Sequence, residues 1–371
     1  MSQDAGDEPF IPLVDLKAQY RSIADEVRRA MDEVLERCDF VLGQAVGEFE
    51  KRFADYCGVS HAVGVASGTD ALHLAFRALD VGPGDEVILP AMTFVATALG
   101  VVLAGATPVL ADVRDADGLL DLDKAAAAVT DKTRAVCPVH LFGQCMESGP
   151  LLDFARERGL LLVEDAAQAH GAADGAVRAG SFGHAACFSF YPGKNLGAYG
   201  DGGAVCTPDP ETDRRLRMLR NYGSPKKYLH EEFGTNSRLD TLQAAVLNVK
   251  LARLDAWNRR RAELAALYDQ ALASIPGVTL TAFRPDSVYH LYVIRVPNRD
   301  RVLAALNEAG IGAGIHYPYT VHEAGMFSHL FAGQEFPVAE DWARRSISLP
   351  LYAEMPEQAV ERAARVLKKT L

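Results

Sequence analysis

The sequence predicts an α/β fold: a mainly parallel mixed sheet covered by helices in a large first domain, followed by a smaller C-terminal α+β domain. Three observations carry that expectation. Short apolar runs alternate with helical patterns from residue 62 onward, which implies parallel strands joined by helical crossovers. After residue 206 the pattern changes to one long helical stretch and then isolated strands. The length of 371 residues is two to three times that of a typical domain, so two domains are expected.

The first helix signal covers residues 21–38, with Ile23, Val27, Met31 and Val34 on one face at helical spacing. Predicted strands follow at 62–65, 86–89, 108–111, 134–139, 160–163, 185–190 and 203–206. Helices are predicted between the early ones, at 69–79, 94–104, 123–129 and 150–157. A long helical pattern then runs over 239–273 with a break near 255–257. Strands near 278–282 and 289–296 and helices near 301–309 and 357–368 complete the second domain. The division is placed at residue 250, giving a large domain 1–250 with its N-terminal segment and a small domain 251–371; no Gly/Ser linker marks the joint.

Composition narrows the function classes. With 49% hydrophobic and 23% charged residues, the chain has the make-up of a globular enzyme with a large core. A net charge of −11 without a long Lys/Arg cluster leaves no electrostatic footprint for nucleic acid. The basic run Arg259-Arg260-Arg261 reads as the solvated face of a helix. No apolar run reaches the roughly 20 residues of a membrane span. The start of the chain is acidic and polar, unlike a secretory signal, so a cytoplasmic location is expected. The cysteines at 38, 57, 137, 145, 187 and 206 show no C-x-x-C spacing. The pairs Cys137/His140 and His184/Cys187 stand three apart on candidate strands, facing opposite sides. No metal site is expected, and buried free thiols are.

Three segments carry chemistry. In 188–203 an apolar strand ends at Phe190, and Lys194 follows in a stretch that holds Gly193, Gly197, Gly200, Gly202 and Gly203. A desolvated lysine amine at a strand end is a nucleophile for a Schiff base; on this segment alone, a surface lysine is the alternative. A phosphate loop is ruled out by Phe188 and Asn195, where glycine and Ser/Thr would be needed, and no G-x-G-x-x-G follows the early strands. In 160–171 a buried strand ends at Glu164-Asp165, at the sheet edge where ligands bind. Asp165 suits a pyridine nitrogen that must stay protonated, or else caps a following helix. In 65–72 a strand enters Ser67-Gly68-Thr69 at a helix start, which suits a phosphate or is an ordinary N-cap.

In this order the three segments resemble the DegT–DnrJ–StrS group of sugar aminotransferases, within the fold-type I pyridoxal-phosphate enzymes. The resemblance extends over nearly the whole chain. It includes Pro12-Leu-Val-Asp-Leu16, Pro90-Ala-Met-Thr-Phe-Val-Ala-Thr97, Asn236-Ser-Arg-Leu-Asp-Thr-Leu-Gln-Ala-Ala245 and Gly314-Ile-His-Tyr-Pro318. It implies that Lys194 holds pyridoxal 5'-phosphate as a Schiff base and moves protons, that Asp165 pairs with the ring nitrogen, and that Gln168 partners the ring hydroxyl. Phe94 would stack on one ring face, with Ala167 under the other. Ser67, Gly68, Thr69 and Ser189 would hold the phosphate, and Asn236 would come from the other subunit of a homodimer.

On the substrate side, Arg238 is a candidate for the donor carboxylate. His316 and Tyr317 match a position near the sugar, or else are core residues at a strand end. In the loop 221–228, Lys226 or Lys227 is a candidate for the nucleotide diphosphate, unless that loop is simply solvated. No arginine follows Lys194 until Arg214, whereas amino-acid aminotransferases of this fold place one soon after the lysine. The implied reaction moves an amino group from L-glutamate to a nucleotide-linked keto-sugar, a dTDP-3-keto-6-deoxyhexose in preference to a 4-keto one. It belongs to deoxyamino-sugar biosynthesis of the kind that serves antibiotics. A sugar dehydratase of the same fold would carry histidine in place of Lys194, and a non-catalytic regulator would have lost Lys194 or Asp165. Both residues are present.

Overall fold

The computed structural model describes residues 9–371. Asp15 caps the first helix by accepting a hydrogen bond from the Ala18 N–H at 2.9 Å. This helix, α1 (Leu16–Arg37), buries Ile23, Val27 and Val34. Next comes a helix not anticipated above, α2 (Gln44–Cys57), which buries Val46, Phe49 and Phe53 and stops at Gly58, whose φ of 78° a residue with a Cβ rarely adopts.

The alternating region follows in chain order as β1 (His61–Val65), α3 (Gly68–Ala78), β2 (Glu86–Pro90), α4 (Ala96–Leu103), β3 (Thr107–Ala111), α5 (Leu122–Ala127), β4 (Thr133–Val136), α6 (Ser148–Glu157) and β5 (Leu161–Asp165). A short hairpin, β6 (Ala173–Asp174) and β7 (Val177–Arg178), leads to β8 (Ala185–Ser189) and β9 (Gly203–Thr207). Two helices, α7 (Pro210–Leu219) and α8 (Thr241–Leu251), complete the first part. The strands form one sheet in the order β1-β9-β8-β5-β4-β2-β3. Only β9 runs against the others, pairing antiparallel with both β1 and β8. The expected mixed, mainly parallel sheet is therefore present, its strands buried on both faces as helical cover requires.

The remainder holds α9 (Leu254–Leu272), β10 (Thr279–Leu280), β11 (Tyr292–Arg295), α10 (Arg299–Glu308), α11 (Pro337–Arg345), β12 (Ser346–Leu349) and α12 (Gln358–Thr370). Its three strands make a small antiparallel sheet, β10-β11-β12. Buried Leu264, Tyr268, Tyr292, Ile347 and Leu367 form a second core around it, joined by Ile11 from the start of the chain. Val321, Phe336 and Trp342 instead pack into the core of the large sheet.

Three local expectations need correction. The long helical pattern breaks at residues 252–253, between α8 and α9, earlier than 255–257. Arg261 is not on a solvated face: it is buried beside Leu254, Asn258 and Leu264 on α9 and donates to the carbonyls of Leu351 at 2.8 Å and Tyr289 at 3.3 Å. All six cysteines are free, but Cys38 is exposed at the left-handed C-cap of α1. Among the described residues no helix is long and apolar enough to cross a membrane.

Candidate active site

β1, β8 and β5 all point their C-terminal ends at one edge of the large sheet, the edge where open α/β sheets bind ligands. The three chemical segments are the continuations of those strands, so they converge on one cavity of about 590 Å³. The site candidates proposed from the sequence line it except Asn236, Arg238 and the loop lysines Lys226 and Lys227.

Lys194 stands in the loop between β8 and β9. Burial draws its ammonium down to a pKa of about 8, against the opposing pull of the Asp165 charge. The loop is held from several sides. Lys250, buried on α8, donates from Nζ to the Gly197 carbonyl at 2.6 Å, and Gln243 Oε1 accepts the Tyr199 N–H at 2.8 Å. Burial also draws Lys250 down, to about 7, with Glu354 opposing.

Asp165 ends β5 and is followed by turns, not by a helix, so capping is not its role. Burial raises the pKa of its carboxyl. Opposing this, Thr97 donates its hydroxyl to Oδ2 at 2.7 Å, and the Ala167 N–H donates to Oδ1 at 3.2 Å. Thr93 Oγ1 lies 2.8 Å from Thr97 Oγ1. Since Thr97 gives its own hydrogen to Asp165, Thr93 is the donor in that pair. Neighbouring Glu164 faces the other way and organises the loop before β8, accepting the N–H groups of Gly180 and Phe182 at 2.8 Å and His140 Nε2 at 2.9 Å.

Where β1 leads into α3, Ser67 does cap α3, accepting the Asp70 N–H at 3.1 Å. An acceptor role leaves its hydroxyl hydrogen free to donate elsewhere. Gly68 is required by space: a Cβ there would come within 2.6 Å of the Ser189 Cβ. Glycine thus brings the start of α3, with its free N–H groups, hard against the end of β8.

On the opposite wall, the rings of Phe94 and Tyr317 have centroids 5.4 Å apart at 37°. Gln168 accepts the Phe142 N–H at 2.7 Å and donates from Nε2 to the Tyr317 hydroxyl at 2.9 Å. Burial and the Asp165 charge keep that phenol protonated by raising its pKa. His316 Nδ1 lies 2.8 Å from Ser348 Oγ, and burial together with Lys194 pulls its pKa down to about 4, so the ring is neutral.

Asn236 and Arg238 flank Ser237, which is itself buried and donates to Asp70 Oδ2 at 2.8 Å. Asn236 is exposed, and Arg238 donates to Asn221 Oδ1 at 3.0 Å. Lys226 and Lys227 lie in an exposed loop, Lys227 Nζ standing 5.1 Å from the Tyr228 ring centroid. Sequence reasoning passed over Thr97, His290, Gln243 and Lys250. Thr97 and Gln243 left a trace, inside the 90–97 and 236–245 stretches already singled out.

Known proteins resemble this chain in sequence and in fold. A model of the DegT/DnrJ/EryC1/StrS aminotransferase family matches residues 21–368. The dTDP-3-amino-3,4,6-trideoxy-alpha-D-glucose transaminase of Streptomyces venezuelae is 48% identical over 358 residues, covering 94% of this chain and 93% of that protein. The crystal structure of S. venezuelae DesV in complex with a ketimine intermediate superposes with a TM-score of 0.95 at 46% identity, with 98% of each chain covered. The crystal structure of NtdA from Bacillus subtilis, with bound cofactor PMP, superposes with a TM-score of 0.90 at 28% identity, covering 99% of this chain and 86% of that one.

Proposed function

The chain belongs to the DegT/DnrJ/EryC1/StrS aminotransferase family, and from that premise we propose that it transfers an amino group from L-glutamate to the keto carbon of a dTDP-linked 3-keto-6-deoxyhexose. It does so as a cytoplasmic homodimer, with residues 1–250 as the cofactor domain and 251–371 as the smaller one. The observation that carries this is one cavity in which a buried lysine faces a buried carboxylate, with a hydroxyl- and N–H-lined cradle at the end. The choice of sugar is supported by the Streptomyces relative, whose name states a dTDP-3-amino sugar.

Pyridoxal phosphate, the cofactor of this family, suits the donors present. Ser67, Thr69, Ser189 and the backbone at Gly68 would hold its phosphate. Asp165 would face its ring nitrogen and Gln168 its ring hydroxyl, with Phe94 and Ala167 on the two faces. When bound, it supplies an electron sink for a carbanion at the nitrogen-bearing carbon.

The other roles fall to the chain. With a pKa of about 8, Lys194 is roughly a tenth neutral at pH 7, so Nζ can take a proton from the nitrogen-bearing carbon of the donor and deliver one to the acceptor. The hydroxyl of Thr97 and the N–H of Ala167 hold Asp165 as an anion against burial. Neutral His316 and Tyr317 offer hydrogen bonds to the sugar without placing a charge beside it. Asn236 and Arg238 complete the cavity of the partner protomer, Arg238 presenting its fork to the glutamate carboxylate. Their position outside their own chain's cavity supports this.

The test is spectroscopic. Purified protein is mixed with pyridoxal phosphate, then with L-glutamate, then with dTDP-keto-sugars, while visible absorbance is followed. Loss of the band of lysine-bound cofactor with glutamate, and its return with one keto-sugar, identifies donor and acceptor together. No band, or a band unchanged in Lys194→Ala, refutes the assignment.

A further inference from the structure

Asn195, next to Lys194, is buried and ties the lysine's loop to two other segments. Its Nδ2 donates to the Val288 carbonyl and to Asn258 Oδ1, both at 2.9 Å. Asn258 in turn donates from Nδ2 to the His170 carbonyl at 2.8 Å. Backbone carbonyls only accept, so these two orient both amides and leave Asn195 Oδ1 as an acceptor. The atom facing that oxygen is His290 Nδ1, at 3.2 Å. The hydrogen of His290 is therefore on Nδ1.

Burial, with the charges of Lys194 and Arg261, pushes the His290 imidazole well below its usual pKa. A neutral ring carries one hydrogen, so Nε2 is left with a bare lone pair. The ring lines the cavity that holds Lys194, and Nε2 has no partner among the described residues and is not sealed off. A lone pair needs a donor. The phosphate and phenolate oxygens of the proposed cofactor only accept, its ring N–H is assigned to Asp165, and no hydrogen bond joins Lys194 to His290. A substrate hydroxyl entering the cavity is suited to supply it.

We propose that His290 Nε2 accepts a hydrogen bond from a sugar hydroxyl flanking the carbon that receives the amino group, which makes His290 a specificity-determining residue. The assignment rests on the substrate class proposed above.

Three dTDP-linked 3-amino-6-deoxyhexoses separate the possibilities: one with both flanking hydroxyls, one lacking the 2-hydroxyl and one lacking the 4-hydroxyl. Their binding to the cofactor-loaded enzyme is measured by calorimetry for wild type, His290→Leu and His290→Gln. Glutamine keeps a donor for Asn195 and an acceptor for the cavity; leucine keeps neither. The expected result is a loss of about tenfold for His290→Leu on the fully hydroxylated ligand, as for one neutral hydrogen bond. One deoxy ligand, already without the hydroxyl concerned, should change less than about twofold, and His290→Gln should stay within about threefold throughout. A histidine that merely supported the Lys194 loop would weaken all three ligands alike, so an equal loss overturns the proposal, as does no loss. If wild type binds none of the three, the substrate class falls and takes the assignment with it. If wild type binds but the loss is not hydroxyl-specific, the assignment of His290 falls alone.

Discussion

Replacing Thr97 with valine removes one hydroxyl and little volume, and it tests whether Asp165 is held as an anion by its neighbours. The 2.7 Å hydrogen bond from Thr97 to Asp165 joins a neutral donor to a buried carboxylate. Hydrogen bonds to charged groups contribute about 1.5–3 kcal/mol, which corresponds to about 10- to 150-fold in an equilibrium or rate constant. Burial already raises the pKa of Asp165 above 3.8, so removing Thr97 raises it further.

The sign for the cofactor-free protein follows. A carboxyl whose folded pKa is raised costs no stability below about 3.8, where it is protonated in both states, and costs progressively more as pH rises through the folded value. Thr97→Val should therefore destabilise the cofactor-free protein more at pH 7 than at pH 4, as read by urea unfolding at both. With cofactor bound, kcat/KM in each half-reaction should fall about 10- to 150-fold, and cofactor affinity should fall with it. Equal destabilisation at the two pH values, with kcat/KM within twofold of wild type, would refute the view that Thr97 maintains the Asp165 anion.

Two further outcomes follow from the same cavity. Gly68→Ala brings a Cβ within 2.6 Å of the Ser189 Cβ, so it should weaken cofactor binding by more than about tenfold, a cost typical of overpacking. The double variant Gly68→Ala/Ser189→Gly should recover part of that loss in a fluorescence titration, and no recovery would place the conflict elsewhere. Capture of pyridoxal phosphate by the cofactor-free enzyme requires the neutral amine of Lys194, so its rate should rise with pH to a midpoint of about 8, the value to which burial draws that group. Stopped-flow absorbance across pH 6–10 measures it, and a midpoint near the ordinary lysine value of about 10.4 would mean that Lys194 is not desolvated.

Most of the large sheet was legible because its signal is local. A parallel strand buried on both faces is a short apolar run, and β1 to β5 and β8 each show one between turn residues. The reversed direction of β9 is not written in its own residues: Gly203–Thr207 is as apolar as its neighbours. What accompanies it is the Lys194 loop over residues 190–202, which forms turns and no helix and so supplies no helical crossover for a parallel return. The helices α2 and α7 had readable signals that the strand–helix alternation obscured. Phe49, Phe53 and Cys57 stand at helical spacing, and Asp209 with Pro210 makes a cap followed by proline at the first helical position. The packing of Val321, Phe336 and Trp342 against the large sheet had no local signal at all, since any core accepts such residues.

The site divides along the same line. Lys194, Asp165 and Ser67 were found because each continues a strand, and a polar residue directly after a buried apolar run has few structural reasons to be there. Thr97 and His290 were missed because their roles are given by partners far away in the chain. Thr97 meets Asp165 across 68 positions, and His290 meets Asn195 across 95. A threonine in a helix and a histidine before a strand look alike whether they hold a catalytic group or fill a core. The chemistry of His290 goes one step further from the sequence, because its tautomer is set by an amide relay that ends on two backbone carbonyls. Residues that begin a mechanism can thus be read from the strand they terminate. Residues that tune it become visible only when folding has supplied the atoms that orient them.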